Sequence, residues 1–197
     1  MSFKLGLTGS IGMGKSTTAK LLAEEGCAIW DADAAVHRLY APGGKAVAPM
    51  QAAFPDAIVD GAVSRDRLKQ IILADSTALK TIETIVHPLV GADRADFIAQ
   101  AQADILVFDV PLMFETGGNA AMDAVLVVSA PEDIQRERVL ARGTMTEEQF
   151  LAIKSKQMPD AEKREKADFV VITDTLDHAK SQVQAILATI RKGLSHA

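Results

Sequence analysis

The order of apolar and polar positions divides the chain into short apolar runs and longer amphipathic stretches. Phe3–Thr8 is mostly apolar and is followed by glycine, so it reads as a buried strand. Lys15–Glu25 places Ala19, Leu21, Leu22 and Ala23 at helical spacing, with Gly26 as its stop. Cys27–Trp30 is a second short apolar run leading into Asp31. Strand, helix and strand at this spacing form a βαβ unit, which requires a parallel sheet and a right-handed crossover.

From Ala32 to about Ala103 the pattern predicts helices and no strand. They run over Ala32–Tyr40, Lys45–Phe54, Ser64–Ala74 and Ser76–Gln102, the last interrupted at His87-Pro88. The breaks fall at Pro42-Gly43-Gly44 and from Pro55 to Gly61. Apolar runs return at Ile105–Phe108, leading into Asp109, and at Ala124–Ser129. Continuous apolar strands of this kind fit a parallel sheet covered on both faces. Pro131 opens a helix through Ala141, Thr146–Lys166 is charged and helical with one proline, and Phe169–Ile172 and Leu176–Lys192 are the last strand and helix. The alternation predicts an α/β fold, a doubly wound parallel sheet of about five strands flanked by helices.

A length of 197 residues with about half of them apolar suits one domain with lobes inserted into it. The formal charge of −5 argues against general affinity for nucleic acid or an anionic membrane, but leaves room for a local basic pocket. Cys27 is the only cysteine, which excludes an intrachain disulfide and points to a reduced, cytoplasmic setting. Met1-Ser2-Phe3-Lys4-Leu5 lacks the apolar segment and cleavage site of a signal peptide. No apolar run approaches the roughly 20 residues a membrane helix needs. His37, His87, His178 and His196 are scattered without zinc-ligand spacing.

Chemistry enters at Gly9-Ser10-Ile11-Gly12-Met13-Gly14-Lys15-Ser16, which matches GxxxxGK[ST] between a strand and a helix. Glycines let the loop turn its N–H groups toward phosphate oxygens. Lys15 supplies a point charge for the β- and γ-phosphates, Ser16 a hydroxyl for Mg²⁺, and the helix start a partial positive charge. This is a nucleoside triphosphate site.

Carboxylates follow two of the strands. Asp31 and Asp33 stand where a doubly wound sheet places its ligands. Either could orient or deprotonate an acceptor hydroxyl, or Asp31 could cap the next helix and Asp33 add charge to its first turn. Asp109 is placed for an acid that holds Mg²⁺ through water, or is an ordinary turn acid before Pro111. Glu115 reads equally well as functional or as surface. Between residues 132 and 166 eight basic residues interleave with eight acidic ones, which fits a solvated helical face. The alternative is a lid that closes over ATP and brings an arginine onto the phosphates. Arg138 and Arg142 share a face, and Arg142 precedes the Gly143 break.

Several segments resemble the dephospho-CoA kinase family: Leu7–Thr17, Asp31-Ala32-Asp33, Val86-His87-Pro88-Leu89 and Asp109-Val110-Pro111-Leu112-Met113-Phe114-Glu115. Arg138, Arg142 and Gln157 also stand at the family's lid and nucleotide positions. The resemblance covers essentially the whole chain and implies a core at 1–31, 104–141 and 167–197, a helical acceptor lobe at 32–103 and a lid at 142–166. It implies ATP-dependent phosphorylation of the ribose 3′-hydroxyl of dephospho-CoA, the last step of coenzyme A synthesis, with ATP and Mg²⁺. Asp33 matches the family's proposed base, with Lys15 and Arg142 beside it in catalysis. Gly9, Gly12, Met13, Gly14, Lys15, Ser16, Thr17 and Arg142 would contact nucleotide, and Ser16 and Asp109 the metal. Asp33, His37, Arg38, His87, Pro88, Leu112, Phe114 and Glu115 would meet the acceptor. His37 stands where the family often has arginine, with Arg38 adjacent, Asp174 where it has asparagine, and Ser10 where it usually has a second loop glycine. Another small-metabolite kinase on the same core, or a nucleotide-dependent switch, are the alternatives; the chain has no Asn-Lys-x-Asp guanine motif.

Overall fold

The computed structural model describes residues 2–195; Met1, His196 and Ala197 lie outside the described residues. In chain order the first elements are β1 (Phe3–Thr8), α1 (Lys15–Glu24), β2 (Ala28–Asp31), α2 (Ala32–Tyr40) and α3 (Val47–Ala53). Then come β3 (Ile58–Val59), β4 (Ala62–Val63), α4 (Arg65–Ala74), α5 (Ala78–Gln100) and β5 (Ile105–Asp109). The chain ends with β6 (Ala124–Ser129), α6 (Glu132–Ala141), α7 (Glu147–Lys154), α8 (Asp160–Lys166), β7 (Phe169–Ile172) and α9 (Leu176–Leu194). These elements form two compact units, residues 2–29 with 102–195, and Trp30–Ala101.

The first unit is built on a five-stranded sheet of order β2-β5-β1-β6-β7. β1 pairs in parallel with both β5 and β6, and β6 with β7. Alternation along β6 sends Ala124, Leu126 and Val128 to one face and Val125 and Val127 to the other. On the first face Leu5, Leu7 and Val171 pack with Leu21 and Leu22 of α1 and Val183, Leu187 and Ile190 of α9. On the second, Met113 fills the space over Val125 and Val127. Leu5, Leu7, Leu22 and Leu126 are wholly buried, so truncating any one to alanine should cost about 2–5 kcal/mol. The charged stretch Thr146 to Lys166, expected to be helical with one proline, is two helices. α7 opens on a Thr146–Gln149 capping box, and Pro159 sits at the N-cap of α8, because proline cannot continue the preceding turn.

The second unit is the helical insertion. Leu39, Tyr40, Met50, Leu68, Ile82 and Val86 form its core. Two details depart from the sequence expectation. A two-stranded antiparallel hairpin, β3 with β4, stands where no strand was expected. Its turn is Asp60-Gly61, both at positive φ (50° and 76°), the Asp-Gly signature of a tight hairpin turn. α5 also runs unbroken through Pro88. The carbonyl that Pro88 leaves without a donor belongs to Thr84, and Thr84, His87 and Pro88 are all exposed, so water can satisfy it.

Among the described residues no helix is long and apolar enough to cross a membrane.

Candidate active site

The phosphate loop follows β1 directly, and Lys15 is the first residue of α1. Gly12 and Gly14 have φ of 78° and 91°. A Cβ on Gly12 would lie 2.9 Å from the Gln135 carbonyl oxygen, and one on Gly14 2.9 Å from Thr173 Oγ1. Both positions therefore need glycine twice over, for the dihedral and for the space. Met13 N–H donates to the Ser10 carbonyl at 3.2 Å, closing the turn. Ile11 N–H donates to Gln157 Oε1 at 3.0 Å. The Ile11 carbonyl accepts from Gln135 Nε2 at 2.7 Å, and the Met13 carbonyl from Thr173 Oγ1 at 2.7 Å. The buried Met13 side chain accepts from Ala130 N–H at 3.1 Å through its sulfur.

Lys15 donates to Asp109 Oδ1, the last residue of β5. The two side chains are 18% and 4% exposed, so the pair sits at low dielectric. Ser16 and Thr17 are exposed on the first turn of α1. Ser16 hydroxyl and Asp109 carboxylate are hard oxygen donors, the kind Mg²⁺ takes. Among the described residues no cluster of three His, Cys, Asp or Glu side chains could hold a metal without further ligands. A metal here would depend on phosphate and water, as Mg²⁺ sites usually do.

α6 brings two arginines to the loop's flank. Arg138 Nη1 donates to Thr173 Oγ1 at 2.9 Å, and its Nη2 to the Thr173 carbonyl. Arg142 is the exposed C-cap of α6, followed by Gly143 at φ 63°. A cavity of about 440 Å³ opens between Gly14, Thr17, Arg138, Arg142, Thr173 and Leu176. Asp174, at its edge in sequence, bonds the His178 ring nitrogen at 2.8 Å. The contact holds the Asp174 carboxyl below its ordinary range.

The segment after β5 is tied to the lid region. Lys163 of α8 is fully buried. Its ammonium meets Glu115 Oε1 at 2.9 Å and the Pro111 carbonyl at 3.2 Å. Glu115 also accepts from Met158 N–H at 2.8 Å. Burial alone would raise the Glu115 carboxyl, yet the Met158 and Lys163 bonds hold it below its ordinary value. Asp160 Oδ2 accepts from Ser129 at 2.7 Å. Leu112 is exposed, while Phe114 packs beside Met113 and Val127. Within the first unit the structure thus gathers Gly9 to Thr17, Asp109, Arg138, Arg142 and Gln157 around one loop.

The second unit carries the other expected residues. Asp31 caps α2, accepting from Ala34 N–H at 2.9 Å. Asp33 lies in the first turn with its carboxylate unengaged among the described residues, and only its carbonyl receives Arg65, at 3.5 Å. His37 is exposed one turn later. Arg38 pairs with Asp93 at 2.6 Å, and Trp30 Nε1 donates to the same carboxylate at 2.8 Å. The Arg38 bond depresses the Asp93 carboxyl. His87 and Pro88 lie on the exposed face of α5.

Sequence reasoning missed Gln135, Thr173 and Lys163. Lys163 sits among alternating charges that read as a solvated face. Thr173 carried a signal, a polar residue ending an apolar strand beside the loop helix. Gln135 had one too, at i−3 and i−4 from Arg138 and Val139.

A protein-family comparison matches residues 3–177 to the Dephospho-CoA kinase family. A Dephospho-CoA kinase of Ruegeria pomeroyi is 68% identical over 197 residues, covering all of both chains. Among solved structures, TT1252 from Thermus thermophilus superposes with a TM-score of 0.85 at 32% identity, covering 95% of this chain and 97% of that one. The Dephospho-CoA kinase from Campylobacter jejuni follows the same fold, with a TM-score of 0.70 at 22% identity over 98% of this chain and 99% of its own. The glycine loop, its paired lysine and aspartate, and the sheet order that holds them agree with these likenesses: the chain belongs to the dephospho-CoA kinase family.

Proposed function

We propose that the protein transfers the γ-phosphoryl group of ATP to the ribose 3′-hydroxyl of dephospho-CoA, giving CoA and ADP, and works in the cytoplasm. The observation that carries this reading is the phosphate loop on β1–α1, with Lys15 paired to a strand-end carboxylate, in a chain 68% identical to a Dephospho-CoA kinase.

Loop amides and Lys15 hold the β- and γ-phosphates, and Gly9, Gly12, Met13, Gly14, Ser16 and Thr17 shape that contact. The cavity bordered by Thr17, Arg138 and Arg142 receives the nucleoside. Asp33 accepts the 3′-hydroxyl proton as the oxygen attacks the γ-phosphorus and the bond to the β–γ bridging oxygen breaks. Arg142 offsets charge on the transferring group. Positioning and electrostatics supply most of the acceleration in such a step. Ser16 and, through water, Asp109 would hold a Mg²⁺ ion, whose charge when bound offsets that of the β,γ-phosphates.

The helical unit serves as the acceptor lobe, through His37, Arg38, His87 and Pro88. The family resemblance assigns acceptor contacts to Leu112, Phe114 and Glu115 as well. Residues 142–166 act as the lid. Within it Lys163, Asp160 and Gln157 tie α8 and the segment before it to the core, and the Arg136–Glu147 and Lys154–Glu132 pairs tie α7 to α6.

An acceptor panel tests this. Dephospho-CoA should be phosphorylated far faster than shikimate, adenosine or a nucleoside monophosphate, with the product's new phosphate at the 3′ position. Equal or faster turnover of another acceptor would overturn it.

A further inference from the structure

A trans peptide carries its C=O and N–H in opposite directions. A loop that aims N–H groups at phosphate must therefore turn the preceding carbonyls outward, and something must hold them there. In this chain each of the two positive-φ loop glycines follows a carbonyl held by a buried side chain. Gln135 Nε2 donates to the Ile11 carbonyl at 2.7 Å, which fixes the peptide ending at the Gly12 N–H. Thr173 Oγ1 donates to the Met13 carbonyl at 2.7 Å, which fixes the peptide ending at the Gly14 N–H. Two other amides of the turn are engaged within the protein, Ile11 N–H by Gln157 and Met13 N–H by the Ser10 carbonyl.

We infer that Gln135 and Thr173 are positioning residues of the phosphate loop, which aim the Gly12 and Gly14 amides at the triphosphate. Gln135 and Thr173 are 1% and 5% exposed, so both donor side chains are shielded from water. Each anchor also packs against the glycine it serves, since a Cβ on Gly12 would strike Gln135 and one on Gly14 would strike Thr173. Arg138, one turn after Gln135 on α6, donates to Thr173 Oγ1 at 2.9 Å. With the Arg138 donor on its oxygen, the single hydroxyl proton goes to a carbonyl, and Met13 at 2.7 Å is a closer acceptor than Ser129 at 3.3 Å. The nest is thus set before nucleotide arrives, and its amides need no reorganisation on binding.

This inference rests on the ATP reading of the loop. Thr173→Val and Gln135→Met keep volume and remove the donors; Thr173→Ser keeps the donor, and Thr173→Ala serves if valine is not accommodated. Titration calorimetry on the folded proteins should show ATP binding weakened about 10- to 100-fold in the donor-less variants. Thr173→Ser should bind ATP as the wild type does, and dephospho-CoA affinity should stay constant throughout. Unchanged ATP affinity in Thr173→Val and Gln135→Met would overturn the inference, as would equal loss for both substrates. Absence of ATP binding by the wild-type protein would overturn the loop reading itself, and the anchors with it.

Discussion

Lys15, the first residue of α1, donates its ammonium to Asp109, the last residue of β5. Neither side chain is more than a fifth exposed. The pair links the end of the glycine loop to the strand end beside it and holds a long, flexible side chain in place. A triphosphate then meets a lysine already at the site.

Lys15→Ala removes that point charge. The expected result is a fall in kcat/KM for ATP of about 100-fold or more, the size seen when a preorganised charge contact to a reacting group is deleted. Steady-state kinetics with ATP varied measure it. Unchanged ATP kinetics would mean that the loop does not bind the triphosphate.

Asp33→Asn keeps shape and removes the proposed base. ATP affinity should be retained while kcat falls about 100- to 10,000-fold. Calorimetry and single-turnover transfer separate the two effects. Near-wild-type turnover would reassign the base, and Asp31 is a poor replacement because its carboxylate is committed to the Ala34 N–H.

The sheet and the loop were legible in the sequence because both rest on local signals. β1, β6 and β7 show as mostly apolar runs with the bounds expected. The glycine motif states its own geometry. What escaped was non-local. Lys163 looks like one more charge in a solvated run, and only the fold brings Glu115 and the Pro111 carbonyl to it. Thr173 reaches Met13 across 160 positions of sequence. Pro88 read as a break because the ring disfavours helix interiors, yet an exposed helix face lets solvent take the freed carbonyl. The Asp60-Gly61 hairpin was readable and was overlooked, since its strands are two residues each.

The Glu115–Lys163 pair gives stability an acid limb. The Glu115 carboxyl is held below its ordinary value of 4.5. A depressed folded-state value means that the contribution is complete above that pH and is lost as pH falls through the folded-state value. Melting temperature should therefore drop more steeply below about pH 4.5 in the wild type than in Glu115→Gln, as read by differential scanning fluorimetry across pH. Lys163→Ala should cost about 3–5 kcal/mol at pH 7, because it leaves a partly buried carboxylate without its cation. Parallel pH profiles for wild type and Glu115→Gln would contradict this account.

Cys27 is buried in the core beside α9, and burial pushes its thiol up to about 11. At pH 8 almost none of it is thiolate, the reactive form. The native protein should resist a thiol-reactive disulfide reagent at pH 8 and react fully once unfolded in guanidinium. Fast labelling of the native protein would show that the site opens.

The central claim is a two-substrate transfer, and coupled ADP release tests it most directly. With ATP and Mg²⁺ present, ADP should form only slowly until dephospho-CoA is added. It should then appear at a saturable rate, with one CoA made for each ADP. ADP formation that dephospho-CoA does not accelerate, or that proceeds without CoA appearing, would contradict the account.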